Sequence, residues 1–200
     1  LLFIAGLLHA ADRPTVIVLT GAPGKAEYGR LFAKWADQWK QAAAKGGAEF
    51  HHIGKTTEAT AKENFKKTIS NQAPKAKSPL WLVLIGHGTF DGKKAKFNLR
   101  GPDLEAAELA EWLKKFERPL AIINCSSSSA PFLAALSGEG RVVLAATRSG
   151  FEQNFCRLGG YLANAIGGVE ADFDKDGQTS LLEAWLTAAR HTAAFYKNEN

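Results

Sequence analysis

Short unbroken apolar runs alternate along this chain with longer stretches whose apolar residues fall every third or fourth place. Thr15–Thr20, TVIVLT, is apolar and β-branched, which predicts a buried strand. Ala26–Lys45 sets Tyr28, Leu31, Phe32, Trp35 and Trp39 on one face at helical steps, and Gly46-Gly47 ends that helix. Glu49–Ile53 is a weaker second strand, and residues 57–71 read as a polar helix with few apolar anchors. Residues 79–85, PLWLVLI, form a strong strand, apolar on both faces. A polar loop with a short hairpin around 95–99 follows. Asp103 is then the expected cap of a helix running to Phe116, because its carboxylate can accept from the first free N–H groups. Strands are expected again at 119–123 (PLAII) and 141–146 (RVVLAA), with a short helix at 130–136 between them. The last helices are expected at 159–166 and 182–196.

Strands apolar on both faces and linked by helices imply a parallel sheet covered on both sides. The expected fold is α/β, a three-layer α/β/α sandwich with a mostly parallel central sheet, forming one domain over residues 12–200. In such sheets the working groups gather at the carboxyl ends of the strands. Residues 1–11 stand apart. The first eight are apolar without alternation, Ala10 and Ala11 follow, and Asp12-Arg13-Pro14 separates them from the first strand, as in the remnant of a secretory signal. The run is too short to span a bilayer, and a buried strand or arm is the rival reading. An exported protein, periplasmic or extracellular, is the resulting expectation.

Composition adds exclusions. At 46% hydrophobic and 22% charged, the 200 residues are ordinary globular material, which excludes a disordered or fibrous chain. The net charge of +5 arises from lysines spread over amphipathic segments, without a basic-and-aromatic nucleic-acid motif, so nucleic acid is not an expected partner. The two cysteines, Cys125 and Cys156, are too few for a disulfide scaffold, though an exported protein could pair them.

Three strand ends carry candidate chemistry. After the first strand, GAPGK has glycines and a lysine but neither the spacing nor the Ser/Thr of a phosphate loop; an ordinary turn using glycine's positive φ explains it as well. After the third, LIGHG places His87 between Gly86 and Gly88, where small neighbours would let a substrate backbone approach. After the fourth, INCSSSSAPF places Cys125 before four serines, expected to form a turn that leaves its thiol exposed. If these two strands are neighbours, His87 and Cys125 emerge side by side. A thiolate could then attack a carbonyl while the imidazole protonates the leaving amine, with the Gly88 and Cys125 N–H groups holding the oxyanion.

The pairing of VLIGHG with AIINCSSSS resembles the caspase-like cysteine peptidases, which include legumains, gingipains and caspases, and within them the bacterial legumain-type members. The resemblance implies a caspase-like fold over about residues 15–166. It implies His87 as acid/base, Cys125 as nucleophile and Gly88 as oxyanion donor. The substrate would be a peptide or protein. The segment AATRSGFEQN, with Thr147, Arg148, Ser149 and Glu152, would line the pocket for the residue before the scissile bond. Arg148 could pair with an acidic side chain there, or Glu152 with a basic one. Two departures stand out: Ser128 holds a place where family members often carry glycine, and the loop over 89–97 is short.

A second constellation, ADFDKDGQTSLLEAW, matches a twelve-residue EF-hand calcium loop over 172–183. Asp172, Asp174 and Asp176 take places one, three and five, Gly177 six, Gln178 seven, Ser180 nine and Glu183 twelve. Calcium needs many oxygen ligands, which alternate aspartates supply. The Gln178 carbonyl and a water on Ser180 would add to them, and Glu183 would close the shell. The alternative is an acidic turn in which Ser180 caps the last helix. Together these features point to a cysteine endopeptidase with a structural calcium. A non-catalytic binding module of the same fold comes next, and a nucleotide- or flavin-binding domain after that. A Cys125–Cys156 disulfide would remove the nucleophile.

Overall fold

The computed structural model describes residues 12–55 and 59–198. The signal-like stretch 1–11 and the expected start of the second helix at Thr57 lie outside the described residues. The elements run β1 (Thr15–Thr20), α1 (Ala26–Lys45), β2 (Glu49–Ile53), α2 (Ala61–Ser70), β3 (Leu80–Ile85), β4 (Gly88–Phe90), β5 (Ala95–Phe97) and β6 (Leu104–Glu105). They continue with α3 (Ala106–Leu113), β7 (Leu120–Asn124), α4 (Pro131–Leu136), β8 (Arg141–Ala145), α5 (Leu158–Ala165), a 3-10 turn at Val169–Ala171 and α6 (Leu181–Asn198).

The central sheet has the order β2-β1-β3-β7-β8, and every pairing in it is parallel. Alternation divides each strand between two cores. Ile17, Leu82, Leu84 and Ile122 face α2, α3 and α4, whereas Val18, Val83, Ile85 and Ile123 face α1, α5 and α6. The fold is therefore a three-layer α/β/α sandwich. The aromatic stripe of α1 does what its spacing predicts: Phe32, Trp35 and Trp39 are buried. Among the described residues no helix is long and apolar enough to cross a membrane.

The hairpin expected near 95–99 is part of a small antiparallel sheet, β4-β5-β6, seated over the carboxyl ends of β1 and β3. Phe97 reaches in so closely that a Cβ on Gly86 would lie 2.8 Å from its ring, and one on Gly21 3.0 Å. That ring fills the crevice between β1 and β3 in which a doubly wound sheet would hold a nucleotide. GAPGK is an ordinary turn, with Gly24 at φ +68°.

Asp103 does not cap α3. Its carboxylate accepts from the Leu99 N–H at 2.9 Å and from Asn98 Nδ2 at 3.2 Å, closing the turn before β6. The helix starts three residues later, where the Glu108 carboxylate accepts from the Glu105 N–H at 3.0 Å, and it ends at Leu113 rather than Phe116.

Candidate active site

β3 and β7 are neighbours, with Leu84 opposite Asn124. Cys125 lies one place beyond that pair, and its N–H donates to the Leu84 carbonyl at 2.9 Å. Alternation puts Ile85 and Cys125 on the α1–α5 face, and His87, two residues past Ile85, faces the same way. Its ring lies edge-on to Tyr28 at 5.1 Å and Phe32 at 5.4 Å, both from α1. Nε2 of His87 is 3.2 Å from the Pro23 carbonyl, which can only accept, so this contact needs the proton on Nε2 and leaves Nδ1 as the basic nitrogen.

The surroundings of these two residues are drier and fuller than the sequence implied. Cys125 is 2% exposed. A Cβ on Gly159 would sit 2.8 Å from the Cys125 Cβ and 3.0 Å from the Trp35 ring, so the start of α5 lies directly against the cysteine. Burial, with a smaller contribution from Cys156, pushes the Cys125 thiol from 9.0 up to about 12. At neutral pH the group is a thiol, not a thiolate. Both cysteines are free, and Cys156 is likewise pushed up to about 12 by burial, with Glu152 adding to the shift.

The oxyanion assignment does not survive in this arrangement. The Cys125 N–H is engaged by Leu84, and the Gly88 N–H donates to Ser127 Oγ at 3.0 Å. Gly88 is small because the Ser127 carbonyl packs against it, not because space is left for a substrate. The serines do not form an exposed turn either. Ser126, Ser127, Ser128 and Ser129 are all buried, and Ser129 Oγ accepts from the N–H groups of Ala146 at 3.0 Å and Thr147 at 3.1 Å. Ser129 thereby ties the end of β7 to the end of β8, while Ser127 ties it to Gly88.

This turn also holds strain. Ser128 has φ +51°, the left-handed region that glycine enters freely and a residue with a Cβ does not. Ser128 Oγ and the nearby Asn124 Nδ2 are buried without hydrogen-bond partners.

The expected pocket-lining residues fare differently from one another. Thr147 is buried, and its Oγ1 accepts from the Ser129 and Ala130 N–H groups and donates to the Ser149 carbonyl. Glu152 is exposed but already holds its own loop through one carboxylate oxygen. Its Oε1 accepts from the Arg148 and Ser149 N–H groups, each at 2.9 Å, and its carbonyl accepts from the Ser128 N–H at 2.8 Å. Arg148 is exposed and offers its side chain to solvent. The contact that sequence reasoning missed is Phe155, whose ring lies 4.6 Å from Tyr28, 5.6 Å from Trp35 and 6.2 Å from His87. Its only signal was an aromatic residue in a polar stretch ahead of α5.

In the acidic loop, Asp172, Asp174 and Asp176 bring carboxylate oxygens within 4.8 Å of one another. Lys175 and Gly177 take positive φ, and Asp172 accepts from the Asp176 and Gly177 N–H groups at 3.1 and 3.0 Å. Three carboxylates supply hard oxygens of the kind calcium takes, about half of the six to eight it needs. Glu183 stands outside this group. Its oxygens accept from the Phe173 and Ser180 N–H groups, each at 2.8 Å, and these donors hold its carboxyl down at about 2. Ser180 Oγ accepts from the Glu183 N–H at 3.2 Å, so the ninth and twelfth places cap α6 reciprocally. The Gln178 N–H donates to Asp176, leaving its carbonyl as the group it could offer a metal.

No protein-family model matches this chain, and no curated protein matches it in sequence. Among solved structures it is similar to the crystal structure of protein GSU0716 from Geobacter sulfurreducens, at 17% identity and a TM-score of 0.40, over 57% of this chain and 50% of that one.

Proposed function

We propose that this chain is a cysteine peptidase in which Cys125 attacks the scissile carbonyl and His87 carries the proton. The observation that supports it is the β3–β7 register, with an imidazole and a thiol at adjacent carboxyl ends on one face. Strain at Ser128 and orphaned polar atoms on either side of the cysteine, at Asn124 and Ser128, are features that concentrate at functional sites. In the reaction the thiol gives its proton to His87 Nδ1, the sulfur adds to the carbonyl, and the imidazolium protonates the leaving amine. Water then hydrolyses the thioester. The preference before the scissile bond would fall to exposed groups such as Arg148.

A binding module without turnover is the second reading, favoured by the engaged Gly88 and Cys125 N–H groups. Peptide-library cleavage separates the two. The peptidase reading expects cleavage that Cys125→Ala abolishes and His87→Ala lowers. Slow, equal alkylation of both thiols with no cleavage overturns it.

The three aspartates would hold a structural calcium that neutralises their mutual repulsion and stiffens the approach to α6. Added calcium should raise the melting temperature, and Asp172→Ala should remove the rise. No shift in the parent protein removes the calcium site.

A further inference from the structure

Cys125 lies under the start of α5, where Gly159 and Trp35 crowd it, and one short connection leads into that cover. Residues 150–157 join the turn after β8 to α5, with a glycine in close contact at its start and another just past its end. A Cβ on Gly150 would collide with Phe90 and lie 2.9 Å from Pro131, and one on Gly159 would lie 2.8 Å from the Cys125 Cβ. Between these glycines Glu152, Gln153 and Asn154 are exposed. Phe155 is the one aromatic residue in the stretch 152–157, EQNFCR, and it alone reaches into the cluster around the strand ends. It stacks on Tyr28 with an interplanar angle of 23° and on Trp35 with one of 26°, and touches His87 edge-on. From outside, the Arg157 guanidinium covers the same ring at 5.4 Å and continues onto Phe195 at 4.6 Å. Glu152 latches the other half of the segment through the three backbone contacts described above.

We propose that residues 152–157 are a strap, with Phe155 its plug, that closes over the His87 and Cys125 strand ends and opens as a unit to expose the thiol. The segment is held by the Phe155 ring, the Glu152 contacts and the Arg157 guanidinium and pairs with no strand, so it can open locally without disturbing the sheet. Opening lets water reach the sulfur, so the thiol should ionise nearer its ordinary pH range. The Phe151 ring at 5.3 Å from Phe90 lies on the β4 side of the Glu152 latch and can stay in place. That the strap gates catalysis rests on the peptidase reading; that it covers the thiol does not.

The test uses the full chain with Cys156→Ser, so that iodoacetamide reports on Cys125 alone. Phe155→Ala should alkylate at least tenfold faster than its parent at pH 8, with the pH midpoint of the rate moved down toward 9. The rate should stay flat in low urea, because local opening exposes little surface. Glu152→Ala, which keeps the ring, should give a smaller increase and provides the reading if Phe155→Ala does not fold. Unchanged rates in both variants overturn the strap. So does an increase that climbs steeply with urea, which would mean global unfolding. Faster alkylation with no cleavage of a peptide library upholds the strap and removes the peptidase reading.

Discussion

The strand-end pair and the acidic loop are opposite ways of building a polar site. His87 and Cys125 are separated in sequence by the whole β4–β6 unit, α3 and β7, and only the β3–β7 register brings them to one face. Their cover consists of rings from α1 and the segment before α5, and of the start of α5 itself. The acidic loop is contiguous, exposed, and satisfies its carboxylates with its own backbone N–H groups. The electrostatic consequences run in opposite directions. Desolvation pushes the Cys125 thiol up to about 12, whereas donated N–H groups pull Glu183 down to about 2. A buried site needs a mechanism to become reactive, and an exposed loop needs only its ligand.

The contrast is sharpest in Trp35, which packs on Phe32, Phe155 and the glycines of α5. Trp35→Ala should cost about 3–5 kcal/mol in urea denaturation, the range for truncating a buried aromatic. Asp174→Asn in the exposed loop should leave the midpoint nearly unchanged. Similar losses in both would break the contrast.

Thermal melts across pH should separate the two regions next. Cys125 and Cys156 have folded pKa values raised from 9.0 to about 12, so their stabilisation is complete below pH 9 and is lost as pH rises toward 12. Glu183 is depressed from 4.5 to about 2, so its contribution is present above pH 4.5 and is lost as pH falls toward 2. Replacing both cysteines by serine should flatten the alkaline limb only, and Glu183→Gln the acid limb only. The smallest expected effect is local to the strained turn. Ser128→Gly relieves φ +51° and an unpaired buried hydroxyl, and should stabilise the protein by about 1 kcal/mol after glycine's greater unfolded entropy is subtracted. A destabilised variant would mean that the turn is not strained.

Much of the architecture was legible. Runs such as TVIVLT and LWLVLI have no polar face, and only a sheet covered on both sides accommodates them. The α1 stripe was legible for the same reason. Asp103 was misread because an aspartate that closes a turn and one that caps a helix carry the same local signal, and the turn won when β6 intervened. Four consecutive serines suggested a wet turn. The turn is instead buried, with the Ser127 hydroxyl bonded to Gly88 and the Ser129 hydroxyl to the end of β8 nearly twenty residues away, which no local pattern shows.

What the order of residues established is what depends on near neighbours: the strands and helices, the position of His87 and Cys125 at strand ends, and the spacing of the three aspartates. Those follow from backbone periodicity and from hydrogen bonds within a few residues. Packing alone set the state of the candidate site. The burial of the thiol, the engagement of the Gly88 N–H by Ser127 and the arrival of Phe155 over His87 all arise between segments distant in sequence. Desolvation and hydrogen-bond partnership are properties of the assembled volume, and they decide whether a cysteine at a strand end is a thiolate ready to react or a thiol under cover.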